Sequence, residues 1–251
     1  MATTLQLTAL HARYSLLETV RVPIALIGSL VFPALSLLFF VVPQAQVAGD
    51  PVIATQAVIS LIVFAVLANS LFGFGLTIAQ AREQAWDPYL RTLPVTGVAR
   101  VLSHLCSVGL LGFAAVIPVV VLGALLTAAT TTPTGLLGGI VALLVGALPF
   151  MLLGTAIGYA LPSKAAIAVV QVVMFSLAFA GGLFIPPFLF APWLDRLSMF
   201  LPSRQTRELV VWAVQGGELP WWSWVGVLAW TLVLTVVVLA LYRRDEGRRY
   251  R

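Results

Sequence analysis

Long runs without a single charged residue alternate along this chain with short segments that carry its charge. Val22–Gly49, Pro51–Ala81, Ala165–Leu194 and Leu219–Tyr242 are uncharged over 28, 31, 30 and 24 residues, and Val101–Ser163 over 63. An α-helix rises about 1.5 Å per residue, so roughly 20 residues cross a ~30 Å hydrocarbon core. Four of the runs therefore predict one span each. The longest would be about 95 Å as a single helix, so it must fold back. Its turn is written as "TAATTTPTGLLGG", where Thr130–Thr132, Pro133, Thr134 and Gly135 interrupt an apolar helix. The pattern predicts an all-α integral membrane protein with six spans, near 22–42, 53–79, 101–127, 136–160, 165–184 and 221–242. The runs are continuously apolar rather than alternating, which argues against a β-barrel.

Composition agrees. Apolar residues make up 61% of the chain and charged residues 9%, against about 45–50% and 25% in soluble domains. The 251 residues leave no room for a soluble domain beside six spans, so we expect a single transmembrane domain over 1–251. The lone cysteine, Cys106, excludes an internal disulfide framework and a multi-cysteine metal site. The first twenty residues mix polar and apolar positions and do not read as a cleaved signal peptide.

Charge placement predicts the orientation. An even number of spans puts both termini on one side. With them lie Arg13 and Arg21, Arg82, Arg91 and Arg100, Lys164, and Arg243, Arg244, Arg248, Arg249 and Arg251. Only Arg196, Arg204 and Arg207 fall opposite. The side richer in Lys and Arg is expected to be cytoplasmic, in a cell (plasma or inner) membrane. The net charge of +5 then reports orientation, and nucleic acid is not an expected partner.

Three segments lie outside the expected spans. Residues 5–21 place Leu7, Leu10, Tyr14 and Leu17 on one helical face with Arg13 and Glu18 turned away, as in an interfacial helix. The stretch "AREQAWDPYLRTLPVTGVAR" at 81–100 joins spans two and three. Asp87 suits an N-cap and Pro88 the first helical position, while Pro94 ends the helix at Leu93. The resulting short helix carries Trp86, Leu90 and Leu93 on one edge, among Arg82, Glu83, Asp87 and Arg91. It reads either as a docking element for a cytoplasmic partner or as a loop whose charges anchor span ends at the headgroups. The third segment, 185–220, is too apolar for a free loop and is expected to dip into the outer leaflet or lie over the bundle. Within it Ser203 is placed to cap a helix running to Gln215 that Gly216 and Gly217 end. Trp221, Trp222 and Trp224 mark the outer interface.

Catalytic chemistry is not legible. His104 and Cys106 stand two residues apart, on different helix faces and without neighbouring carboxylates, so packing is the expected role. No Ser–His–Asp set or H-E-x-x-H motif is present. Asn69, Gln171 and Ser176 are polar positions inside expected spans, suited to joining helices or lining a path. Asn69 and Gln171, with Phe72, Phe175 and Phe179, are the candidate path on spans two and five. An aromatic path without charge suits a lipophilic substrate. The "GFG" at 73–75 and Gly181-Gly182 allow close helix approach or unwinding, and Pro118 and Pro149 are positioned to kink their spans.

Three features in order resemble the type-2 membrane permeases of ABC exporters. They are the interfacial N-terminal helix, an "E-x-x-x-x-[DE]-x-L…P" segment after span two (Glu83, Asp87, Leu90 or Leu93, Pro94), and the series "GGLFIPP", "PWLDRLSMFLP", "RELVVWAVQGG" before a last span. Ala85-Trp86 stands where that family usually has Gly-Thr, and Pro88 is unexpected. The resemblance implies that two such subunits, a second copy or a sister permease, form a pore in membrane lipid above two ABC ATPase subunits. It makes the segment between spans two and three a coupling helix, with Glu83, Asp87, Leu90 and Arg91 as its contacts. It places the substrate path along spans two and five, and makes the helices after span five an extracellular gate. The only lysine, Lys164, follows Ser163 and precedes Ala165, so it cannot complete the phosphate-binding pattern G-x-x-x-x-G-K-[ST]. ATP and Mg are therefore expected on the partner chain, with no cofactor in this one.

The expected function is the permease subunit of an ATP-driven exporter that moves a lipophilic small molecule, of drug or antibiotic type, by alternating access. Alternatives are export of a lipid-linked glycan or polymer, a non-ABC channel or secondary transporter, and a membrane scaffold. Ion-coupled transporters often carry intramembrane acids, whereas all nine acidic residues here lie outside the expected spans.

Overall fold

The computed structural model describes residues 23–84 and 97–249. The expected interfacial helix, and Asp87, Leu90 and Arg91 of the coupling segment, lie outside them, as do the side chains of His104 and Cys106. Every regular element among the described residues is helical. In chain order they form α1 (Pro23–Phe40), the single turn α2 (Ala45–Ala48), α3 (Pro51–Ser70), a π-helical turn (Leu71–Leu76), α4 (Thr77–Glu83), α5 (Gly97–Leu126), α6 (Pro133–Ala160) and α7 (Ser163–Ala180). A 3-10 turn (Pro187–Leu189), α8 (Pro192–Ser198), α9 (Pro202–Gln215) and α10 (Trp221–Arg249) follow.

Among the described residues, four stretches are long and apolar enough to cross a membrane: Pro51–Glu83, Pro133–Ala160, Ser163–Ala180 and Trp221–Asp245. Helices α1 and α5 contribute the shorter apolar stretches Val31–Phe40 and Ala114–Leu126. The outside of the bundle is as apolar as its core, with Leu125, Val172, Leu232 and Val236 all about two-thirds exposed or more. Water tolerates patches of a few hundred Å² of such surface, whereas lipid tolerates all of it.

Helix starts follow from local chemistry. One carboxylate oxygen of Asp50 accepts from the backbone N–H groups of Val52 and Ile53, both at 2.9 Å, and Pro51 occupies the first turn of α3. Thr132 does the same for α6, accepting from the Gly135 N–H at 3.0 Å. Pro133, expected to belong to the helix-breaking turn, instead opens α6, because a first-turn proline lacks only an N–H that has no helical partner there. Replacing Asp50 with alanine orphans two donors, and we expect a loss of about 1 kcal/mol. The thermal midpoint of the detergent-solubilised chain should fall by a few degrees. Inside the apolar helices, Thr55, Ser60, Thr155, Thr231 and Thr235 each donate to the carbonyl four residues earlier, so these hydroxyls are satisfied within their own helix.

The stretch Pro51–Glu83, which includes α3, occupies the centre: 61% of its most apolar part is buried, against 11% for Trp221–Asp245. Phe64, Leu67 and Leu71 meet Phe150 of α6 and Val170 of α7 in the core. Glycines on α6 set how closely its neighbours approach. Toward its start, a Cβ on Gly138 would lie 3.0 Å from the Ala213 carbonyl oxygen and one on Gly139 2.7 Å from Val214 Cγ2, so α9 seats directly on the α6 backbone. Toward its end, a Cβ on Gly154 would lie 2.7 Å from the Ser70 carbonyl oxygen, and one on Gly158 2.8 Å from that of Gly75. This second seat receives the π-helical turn. The extra residue per turn widens the backbone there, and facing glycines make room for it. The "GFG" expected to loosen span two lies within this turn.

Helix α9 ends as expected, at Gly216, whose φ of 79° is left-handed. Its start differs. The helix begins at Pro202, and the Ser203 hydroxyl caps nothing; it donates to the Leu177 carbonyl of α7 at 2.7 Å. The Leu177 carbonyl already accepts the Gly181 N–H at 3.0 Å, and its second lone pair takes the buried hydroxyl.

Candidate functional site

The two ends of the bundle carry different polar clusters. At one end α4 finishes with Arg82 and Glu83. The Glu83 carboxylate accepts from the Ser163 N–H at 2.8 Å and from its hydroxyl at 2.5 Å. It therefore caps the first turn of α7, where the helix dipole favours an anion. Arg82 turns the other way. Its Nε and Nη2 donate to Asp245 Oδ1 at 3.0 and 2.6 Å, and its Nη1 donates to the carbonyls of Gly158 and Leu161 at 2.9 and 3.4 Å. The guanidinium also lies 5.9 Å from the Tyr159 ring centroid, and Tyr159 meets Tyr242 edge-on at 5.6 Å.

The candidate path residues divide. Gln171, Phe175 and Phe179 stand four residues apart on α7 and share one exposed stripe. The Phe175 ring packs edge-on against Phe32 of α1 at 6.3 Å, and Phe179 lies 5.1 Å from Phe184. Phe184 continues to Phe64 at 4.7 Å and Phe40 at 6.1 Å, so one aromatic cluster joins α1, α3 and α7. Asn69 is elsewhere, between α3 and α5, where a Cβ on Gly112 would lie 2.8 Å from its amide nitrogen. Phe72 is half-buried against the main core. Three of the five path residues thus share a surface.

At the opposite end, α9 brings buried charge into the bundle. Arg204 Nε lies 3.0 Å and Arg207 Nη1 2.6 Å from the same carboxylate oxygen of Glu208. Arg207, 4% exposed, also donates to the Ser60 hydroxyl at 2.8 Å and to the Gln56 side chain at 3.3 Å, both on α3. Gln215 completes the seam, donating to the Val52 carbonyl at 3.1 Å. Burial pulls both guanidinium groups below the usual arginine range and Glu208 pulls them back. Arginine keeps its proton in either case, so this carboxylate is what makes the buried charges tolerable. A small cavity of about 60 Å³ lies beside the seam, among Gln44, Gln56, Ser60, Phe184 and Arg207.

The sequence reading missed both polar clusters as contacts. Arg82 ends one uncharged run and Asp245 lies just past the end of another, on the same expected side of the membrane, which was the available signal for the first. Arg204 and Glu208 at i, i+4 signalled part of the second, but nothing in the spacing named Ser60 as the partner of Arg207.

These features form a charge-poor helical bundle with exposed apolar flanks, a wedged helix at one end and a polar junction at the other. The comparison with known proteins fits such a molecule. The chain is 23% identical over 220 residues to "Putative transport permease YvfS" of Bacillus subtilis (strain 168), covering 87% of this chain and 90% of that protein. The family profile described as ABC-2 type transporter matches residues 6–214, which take in α1 to α8, the aromatic stripe and all but the last residue of the wedged helix. On that match, the chain belongs to the ABC-2 type transporter family.

Proposed function

We propose that this chain is the permease subunit of an ATP-driven exporter that moves a lipophilic small molecule outward by alternating access. Two permease subunits, identical or sister chains, enclose the path, and two separate ATPase chains bind ATP and Mg on the cytoplasmic side. Each permease crosses the membrane six times with both termini in the cytoplasm. In this arrangement the polar junction at Arg82 faces the cytoplasm and α9 faces outward. The observation that carries the substrate class is the exposed stripe of Gln171, Phe175 and Phe179, flanked by the aromatic rings of α1 and α3 and free of charge. Such a surface binds apolar and aromatic groups by area and ring contact. It offers nothing to a hydrated ion.

Glu83, Asp87, Leu90 and Arg91 are the proposed contacts with the ATPase. Affinity capture of the tagged chain from its native membranes should bring down an ATPase with a phosphate-binding loop. Recovery of the chain with no nucleotide hydrolase sinks the proposal. In the captured assembly, Arg91→Ala should cut the ATPase activity stimulated by a lipophilic dye by about fivefold or more, the lower range of typical coupling between sites. Insertion should be unchanged. A second measurement concerns the path: Phe175→Ala should weaken dye stimulation while leaving the amount of assembled complex unaltered, as fluorescence size-exclusion chromatography would show.

A further inference from the structure

Arg82 and Glu83 sit at the last turn of a stretch, Pro51–Glu83, that is 33 residues long. At about 1.5 Å per residue it exceeds the ~30 Å hydrocarbon core, so its final turns stand beyond the lipid tails. Helix ends at Gln84, whose ψ of 133° is extended, and the proposed coupling segment follows it in sequence. Neighbouring residues on a helix point about 100° apart. Glu83 accordingly reaches the start of α7 while Arg82 reaches the end of α6 and the far part of α10.

We propose that Arg82 is a positioning residue, the grip through which movement of the coupling segment is passed to α6 and α10. This rests on the ATP-driven permease reading above. Three observations support it. Arg82 binds main-chain carbonyls at the α6 C-terminus, where the helix dipole is negative and the backbone itself is held. Its partner on α10, Asp245, is only 7% exposed, so the pair is not one of the solvent-screened contacts that hold little. The planar fork engages both helices at once, which a lysine ammonium cannot do with the same geometry. Tyr159 and Tyr242, stacked edge-on beside it, carry the same two helices together. Pulling on α4 therefore displaces the inner ends of α6 and α10 with it, whereas a helix end held only by apolar contact can slide.

The test uses the assembly captured with its ATPase, reconstituted in liposomes. Cys106 is replaced with serine, and Leu239, 50% exposed toward the inner end of α10, is changed to cysteine and labelled with an environment-sensitive fluorophore. ATP with Mg and vanadate should shift the fluorophore signal. With Arg82→Gln, the ATPase should stay bound and basal hydrolysis should persist, but the shift should shrink by about fivefold or more. Asp245→Asn should act alike, and the double variant should be no worse than either single one, since both remove one shared link. Arg82→Lys should restore part of the amplitude. A full shift in Arg82→Gln or in Asp245→Asn, or additive losses in the double variant, overturns the assignment while leaving the permease reading in place. A fluorophore that ignores ATP in the unaltered assembly also overturns it, since α10 then does not move. Capture without an ATPase defeats the permease reading itself, and Arg82 loses this role with it.

Discussion

Gly154→Val is expected to be among the most damaging single substitutions in the bundle. The Cβ it adds would fall 2.7 Å from the Ser70 carbonyl oxygen, 3.2 Å from the Leu71 Cα and 3.2 Å from the Phe74 Cβ. Two of these atoms are backbone and the third is the rigid root of a side chain, so none can swing away. Relief requires α6 to move off the π-helical turn, which opens a gap beside Phe150, a residue with no exposed surface. Overpacking of this kind costs about 1–3 kcal/mol when side chains can adjust, and we expect the upper end or more here. The thermal midpoint in detergent should drop by roughly 6–12 °C, at 2–4 °C per kcal/mol for a chain of this size. Gly109→Ala supplies the control, because a Cβ there meets nothing within 4 Å. It should be neutral or slightly stabilising, as alanine is the better helix former. If the two variants unfold at the same temperature, the close approach of α6 to α3 is not a constraint on this fold.

Which parts of this molecule could be read in advance follows from the range of each interaction. Helical type and apolar character are properties of single segments, so a run such as Leu219–Tyr242 announces itself without knowledge of its neighbours. Cap chemistry is nearly as local. Asp50 and Gly216 act within one turn of where they stand, and Pro133 was misplaced only because a helix-breaking residue is also a helix-opening one. The widened turn at Leu71–Leu76 was partly legible, since Gly73 and Gly75 permit it, but the glycines that accommodate it lie some eighty residues away on α6. The candidate path shows the same limit. Gln171, Phe175 and Phe179 share a stripe because helical spacing puts them there, whereas Asn69 faces α5 because Gly112 leaves a gap for its amide. Arg82 with Asp245, and Arg207 with Ser60, are 163 and 147 residues apart. No periodicity reaches that far. Charge at a run boundary tells where a headgroup or a partner is needed, and only the folded bundle tells which.

Loss of Arg207 should free α9 from the centre of the bundle. Its guanidinium holds Ser60 and Gln56 on α3 while sharing Glu208 with Arg204. Arg207→Ala leaves a hydroxyl, an amide and part of a carboxylate without their donor in a largely apolar surrounding. Breaking a buried pair from one side costs about 3–5 kcal/mol. The lower figure applies, because Glu208 keeps Arg204, and it corresponds to a midpoint lowered by roughly 6–12 °C. Arg207→Lys should recover only part of this, since an ammonium reaches one of the three partners at a time. Ser60→Ala alone should cost about 1 kcal/mol and almost nothing further in the Arg207→Ala background, the non-additivity expected of residues that share one contact. Hydrogen exchange gives the local reading: amides of α9 should lose protection in Arg207→Ala while those of α10 near Leu234 keep theirs. Unchanged exchange across α9, together with an unchanged midpoint, would show that apolar packing on the α6 glycines is enough to seat this helix. The export reading gives the result a second use, because α9 lies at the outward end of that proposed path. Packing on α6 seats this helix, and the Arg207 fork is its main polar tie to the middle of α3, so a change at Ser60 or Gln56 is the one that loosens it from that side.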